Sequence, residues 1–254
     1  MNNWKKLVFV CMLSIIGSIY AVPSSILPIA SAANVTIKKA PAKKAVHYFD
    51  TDHTAAVGWA KENYGDWFDQ LSVEQQNATT GYLNQDYKAV NSYLWKKASN
   101  PNGDIDNELE KKIKSLDSAL KTSPVQESVT VYRRMGATEY GMELTDASYN
   151  FDNPENIQKF REKWMYTIKE NPGFLSTTLV SDGADSLSPR KLILRLYVPD
   201  GTEGAYVNFT GSEFGGEYEF LINKGYSYII DDITDEIGDD GKTRLIIDAT
   251  LLPK

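Results

Sequence analysis

The spacing of apolar residues in this chain changes once, near Pro124. Before it, apolar side chains recur every three or four residues, the period of a helix with one buried face. After it, short β-branched and aromatic runs dominate, punctuated by Gly, Pro and Asp. Runs of that kind pack as strands. A chain with its helical signals first and its strand signals afterwards reads as α+β, with a helical layer on a sheet core.

The helical half resolves into segments. Ala56, Trp59, Ala60, Tyr64 and Trp67 fall at helical spacing between His53 and Leu71. Ser72 followed by Gln75 is a capping box, and it predicts a helix to about Tyr82. Residues 85–99 read as another helix, with Tyr87, Asn91 and Leu94 along one side. Residues 106–124 contain an amphipathic helix that turns Ile113, Leu116 and Leu120 inward. Beyond Pro124, residues 128–135 read as a strand. Residues 154–171 read as one helix, with Pro154 in its first turn and a stripe of Ile157, Phe160, Trp164 and Ile168. Six further strand-like runs follow, with few helices between them, which favours antiparallel pairing. The expected fold is therefore a helical N-terminal layer packed on a mainly antiparallel two-sheet β core.

The first residues are not expected to join that core. Lys5 and Lys6 precede an apolar run from Leu7 to about Val22, and Ala30-Ser31-Ala32 supplies a cleavage-type motif. Residues 1–32 read as a secretory signal peptide. A membrane anchor is the rival, but Gly17 and Pro23 shorten the run. Residues 33–49 read as a flexible basic leader, and residues 50–254 as a single domain.

Composition then narrows the chemistry. Cys11, the only cysteine, lies in the leader, so disulfides and thiolate catalysis drop out of the mature chain. His47 and His53 are the only histidines, which disfavours a Ser-His-Asp triad or a His-rich metal site; no metal is expected. The formal charge of −7 argues against nucleic-acid or anionic-membrane binding.

Three stretches place unusual residues at strand positions. In "VYRRMG", Arg133 and Arg134 could grip a pyrophosphate, or could simply keep a strand edge soluble. In "FLSTTL", alternation puts Ser176 and Thr178 on one face; their hydroxyls could orient a carboxylate, or reflect the ordinary β-propensity of threonine. In "GGEYEF", Glu217 and Glu219 share a face if the segment is a strand throughout, a costly pairing of like charges unless a cation is handled there.

The order aromatic-Arg, Ser-Thr-Thr, Glu-x-Glu resembles the R-S-E constellation of bacterial mono-ADP-ribosyltransferase toxins. It looks most like the enzymatic subunits of actin-modifying binary toxins and the related C3-like exoenzymes, over roughly residues 50–254. That resemblance implies an ADP-ribosyltransferase fold and NAD as the substrate. It implies catalytic roles for Glu219, Glu217, Ser176 and Arg133. It implies NAD contacts from Arg134, Arg190, Tyr82, Tyr87, Asn91, Gly136 and Thr178, and target recognition by Phe214 with Glu217. Leu187 stands where the family often has phenylalanine. Glutamate at position 217 accompanies arginine modification in that family, whereas the C3-like enzymes have glutamine there. The implied activity is a secreted toxin moving ADP-ribose to an arginine of a host protein, actin above all, with a separate translocation component as a partner. C3-like modification of Rho GTPases, an NAD glycohydrolase without a protein target and a non-catalytic binding protein are the competing readings.

Overall fold

The structure, a computed structural model, describes residues 45–183, 190–210, 217–238 and 240–254. The signal-peptide segment, most of the basic leader, Leu187 and Phe214 lie outside the described residues.

The helical half contains α1 (His53–Tyr64), α2 (Val73–Gly81), α3 (Tyr87–Ser99) and α4 (Asn107–Leu120). Each start has a chemical cause. Asp52 accepts the Ala55 N–H at the head of α1. Ser72 and Gln75 close the capping box on α2. Asp106 accepts from Glu108 and Leu109 at the head of α4. Helix α1 stops earlier than its apolar spacing suggests, and turns carry Trp67 into the core. Helices α2 and α3 are not separated by a loop. A π-helical turn, Tyr82–Asp86, joins them. Its extra residue re-phases the two helical faces, and such turns concentrate at functional sites.

The strand half contains β1 (Val129–Met135), β2 (Ile168–Asn171), β3 (Leu175–Thr178), β4 (Leu192–Val198), β5 (Gly204–Tyr206), β6 (Glu219–Ile222), β7 (Tyr226–Ile237) and β8 (Thr243–Leu251). Among the described residues, one α-helix, α5 (Pro154–Trp164), and three short 3-10 turns lie between the strands. Helix α5 is shorter than the sequence reading. Met165 leaves helical geometry with ψ 136°, and Tyr166 has φ +62°. Ile168 is therefore not on the helix stripe; it is exposed on β2, which pairs with β7.

The strands form one hydrogen-bonded sheet in the order β2-β7-β8-β4-β1-β3-β6-β5. All neighbours are antiparallel except β4 and β8. The expected two-sheet core takes the form of two halves joined into one hydrogen-bonded sheet. β1 pairs with β4 along its whole length, from Val129 to Met135, but meets β3 at a single pair, Tyr132 and Thr178. A five-strand half and a three-strand half thus share one point of register, and β1 and β3 part company beyond it.

The helical layer is fastened to this sheet at several places. The Trp59 and Tyr64 rings of α1 lie 6.2 and 5.7 Å from Phe220 of β6. The buried Asn223 amide, just past β6, donates to both the carbonyl and the carboxylate of Asp117 on α4. The last residues of the segment read as a loose leader are packed instead. His47 exchanges backbone hydrogen bonds with Ser128 and Thr130, and Phe49 is buried beside Trp59. The β1 backbone had donors and acceptors to satisfy on that side, and this short segment satisfies them.

Candidate active site

The register of β3 against β6 builds the centre of the site. Thr178 pairs with Glu219 and Ser176 with Leu221. Ser176 is therefore the diagonal neighbour of Glu219, within reach across the ladder. Its hydroxyl lies near the Glu219 carboxylate and favours its charged form. Asn208, just after β5, accepts the Glu219 N–H with its side-chain oxygen, while Val207 donates to the Glu219 carbonyl. The Glu219 backbone is thus held at both its N–H and its carbonyl. Burial pushes its pKa up to about 7; the nearby Ser176 hydroxyl opposes this, Glu217 adds to it, and Arg133 opposes it.

Glu217 does not lie in β6. It precedes the strand in a bend, and Tyr218 between the two glutamates has φ +50°. The pleat of a continuous strand is therefore not what brings the two carboxylates together. Burial also raises the pKa of Glu217.

Arginine fills the gap where β1 and β3 diverge. Arg133 Nη1 donates to the Ser176 carbonyl at 2.9 Å, an acceptor that a continuing ladder would have taken. Among the described residues, Arg133 Nε is buried without a hydrogen-bond partner, with Glu139 Oε2 at 3.7 Å. Arg134 is almost fully buried, and it and Arg190 each donate a guanidinium N–H to the other's carbonyl, at 3.3 and 3.2 Å. Burial lowers the Arg190 pKa; Glu139 opposes that shift and Arg133 adds to it. Arg133, Arg190 and Glu139 therefore share one neighbourhood. An anion with several acceptor oxygens fits it, because a buried donor lacking an acceptor is costly to leave so.

Glu139 was not singled out in the sequence. Its Oε1 accepts the Gly136 N–H at 3.2 Å, so the backbone amide of a residue expected to contact NAD is already engaged. The signal was present in principle: glutamate three residues after the turn glycine is capping-box spacing. Asn208 carried no comparable signal, because its contact depends on how β5 lies against β6.

The π turn and α3 contribute Tyr82, Tyr87 and Asn91. The Tyr82 hydroxyl accepts from Asn91 at 3.0 Å, and its ring meets Phe174 edge to face at 5.3 Å. Burial raises the Tyr82 pKa, with Glu219 as the next contributor, which places the phenol near the Glu219 carboxylate. The Asn91 amide also donates to the Phe174 carbonyl and accepts its N–H, pinning the entrance to β3. Tyr87 is half-buried against the core. The Thr178 hydroxyl is buried and turned to the Val180 backbone, at 3.3 Å to both its nitrogen and its oxygen. Glu219, Ser176, Arg133 and Tyr82 are thus drawn together, Glu217 stands beside them, and Thr178 is spent on the turn after β3.

Comparison with known proteins agrees with this geometry. The family model "ADP-ribosyltransferase exoenzyme" matches residues 56–254. The structure of the ADP-ribosylating toxin BECa, from a binary enterotoxin of C. perfringens and solved with NADH, superposes with a TM-score of 0.73 at 38% identity. That match covers 81% of this chain and 50% of BECa. The epidermal cell differentiation inhibitor of Staphylococcus aureus is 30% identical over 161 residues, 59% of this chain and 63% of that protein. The NAD(+)–arginine ADP-ribosyltransferase EFV of Enterococcus faecalis is 28% identical over 172 residues, 67% of this chain and 31% of that protein. The matched region therefore spans less than two thirds of each of these relatives.

Proposed function

The chain belongs to the ADP-ribosyltransferase exoenzyme family, and on that premise we propose that it transfers ADP-ribose from NAD to an arginine of a host protein, releasing nicotinamide. The observation that carries the proposal is Glu219: a carboxylate at the head of β6, its backbone held by Asn208 and Val207, in the field of Arg133 and near the Ser176 hydroxyl. Arg133 and Arg190 would take the pyrophosphate oxygens. Cleavage of the nicotinamide–ribose bond develops positive charge on the sugar, and the Glu219 carboxylate would stabilise that charge, the logic by which glycosidases use a carboxylate. Use of the Gly136 N–H by the nicotinamide amide would require Glu139 to release it.

Glu217 supplies the acceptor side. An arginine guanidinium is a poor nucleophile while protonated. A carboxylate whose own pKa is raised by burial can bind the cation and take a proton as the new bond forms. The name of the EFV relative, an NAD(+)–arginine ADP-ribosyltransferase, supports this reading. We propose actin as the target on the resemblance to the actin-modifying toxins. On the same grounds we propose secretion by way of the N-terminal segment, and entry aided by a separate translocation component.

Labelled NAD incubated with the secreted chain and a eukaryotic lysate tests this. A labelled band at the size of actin, with mass spectrometry placing the ADP-ribose on arginine, is the expected outcome. Label on an asparagine of a small GTPase would contradict it, as would nicotinamide release with no labelled protein.

A further inference from the structure

Glu217 stands before β6, so the sheet does not fix it as it fixes Glu219. What fixes it is the residue between them. Tyr218 has φ +50°, a region that a ring-bearing residue occupies only where its surroundings impose it. Those surroundings form one connected chain of contacts. The Tyr218 ring meets the His53 imidazole edge to face at 4.6 Å. His53 Nε2 lies 2.9 Å from each carboxylate oxygen of Asp182. The Tyr218 carbonyl accepts from Leu179 N–H at 3.1 Å.

The Asp182 turn is itself anchored. Ser181 donates its N–H to the Asp50 carbonyl at 2.8 Å and its hydroxyl to the Asp50 carboxylate at 2.9 Å. Gly183 then lies so close that a Cβ there would sit 2.3 Å from Thr178 Oγ1 and 3.2 Å from the Glu217 carbonyl oxygen. The head of α1, the turn after β3 and the backbone of Glu217 therefore behave as one assembly. It touches Glu217 from two sides, through Tyr218 and through Gly183.

We propose that His53 and Asp182 are positioning residues for Glu217: they hold the Tyr218 ring, and with it the left-handed backbone that aims the Glu217 carboxylate at the acceptor. The inference rests on the arginine-transfer reading and deepens it. It also predicts a selective effect. Glu219 is secured independently by its pairing with β3 and by Asn208 and Val207 on its backbone. Loosening Tyr218 therefore weakens acceptor capture more than it weakens nicotinamide release.

The test measures nicotinamide release and transfer to the arginine analogue agmatine in one reaction. It compares the unaltered chain with His53→Ala, His53→Gln and Asp182→Ala. Both side chains are 39% exposed, so the variants should fold, and thermal unfolding verifies that they do. His53→Ala and Asp182→Ala should each lower the ratio of transfer to release about tenfold, as expected for a misplaced reacting group, with KM for NAD unmoved. His53→Gln, which keeps a donor for Asp182, should recover part of the ratio. The double variant should be no worse than either single one, because both act through the same contact. An unchanged ratio in a folded His53→Ala protein would overturn the proposal, as would transfer and release falling in parallel. If the unaltered chain released nicotinamide but did not modify agmatine, the arginine reading would fail and this inference with it.

Discussion

At the scale of the residue, Glu219 carries two opposed demands. It must be ionised to hold positive charge, yet its burial favours the neutral acid and raises its pKa to about 7. The pH profile of NAD cleavage should show this directly. kcat/KM reports the free protein and should rise with pH through about 7. In the bound state the cationic nicotinamide ring favours the carboxylate, so the limb in kcat should lie at lower pH. Stability carries the opposite sign. A carboxyl whose pKa rises from 4.5 to about 7 on folding binds more protons folded than unfolded in that window. Its contribution is present below the window and is lost as pH rises through it. Glu219→Gln should therefore raise Tm at pH 8 more than at pH 4, measured by calorimetry. A Tm gain equal at both pH values would show that the carboxylate is not strained. The sequence made Glu219, Ser176 and Arg133 legible because their chemistry is unusual for strand positions. Asn208 was hidden because its role exists only after the fold brings β5 and β6 together, whereas Glu139 carried a local signal in its capping-box spacing from Gly136.

At the scale of the element, the caps and apolar stripes made most helices readable, since each depends on residues a few positions apart. The errors share one cause. Ile168 continues the stripe of α5 by spacing, but Tyr166 adopts φ +62° and the chain joins the sheet beside β7. Pairing with a distant strand outweighed local periodicity. Likewise, the Glu-x-Glu segment looks like a strand, and only the fold shows that Tyr218 breaks it. Two substitutions probe the element scale. Gly183→Ala puts a methyl against Thr178 and the Glu217 carbonyl, so it should displace the turn and reduce transfer while leaving far-UV circular dichroism unchanged. Asn91→Ala removes the groups that hold the Phe174 backbone, and should lower stability by about 1–3 kcal/mol in urea unfolding. Wild-type stability in Asn91→Ala would mean that the entrance to β3 is held by something else.

At the scale of the whole molecule, a sheet whose halves share one register pair offers a natural place for a substrate. Beyond Tyr132 and Thr178, the Arg133 side chain crosses from β1 to the Ser176 carbonyl, where a ladder bond is missing. Residues 38–254 form a compact unit of their own. A chain beginning at Lys38 should therefore keep the Tm and the NAD cleavage of a longer one. The central claim is a division of labour, with Glu219 serving bond cleavage and Glu217 serving the acceptor. It is tested most directly by measuring nicotinamide release and arginine labelling together in Glu219→Gln and Glu217→Gln. The account predicts that Glu219→Gln loses both, by about 10²-fold or more, while Glu217→Gln loses labelling but continues to release nicotinamide. Labelling that survives in Glu217→Gln, or nicotinamide release that survives in Glu219→Gln, would contradict it.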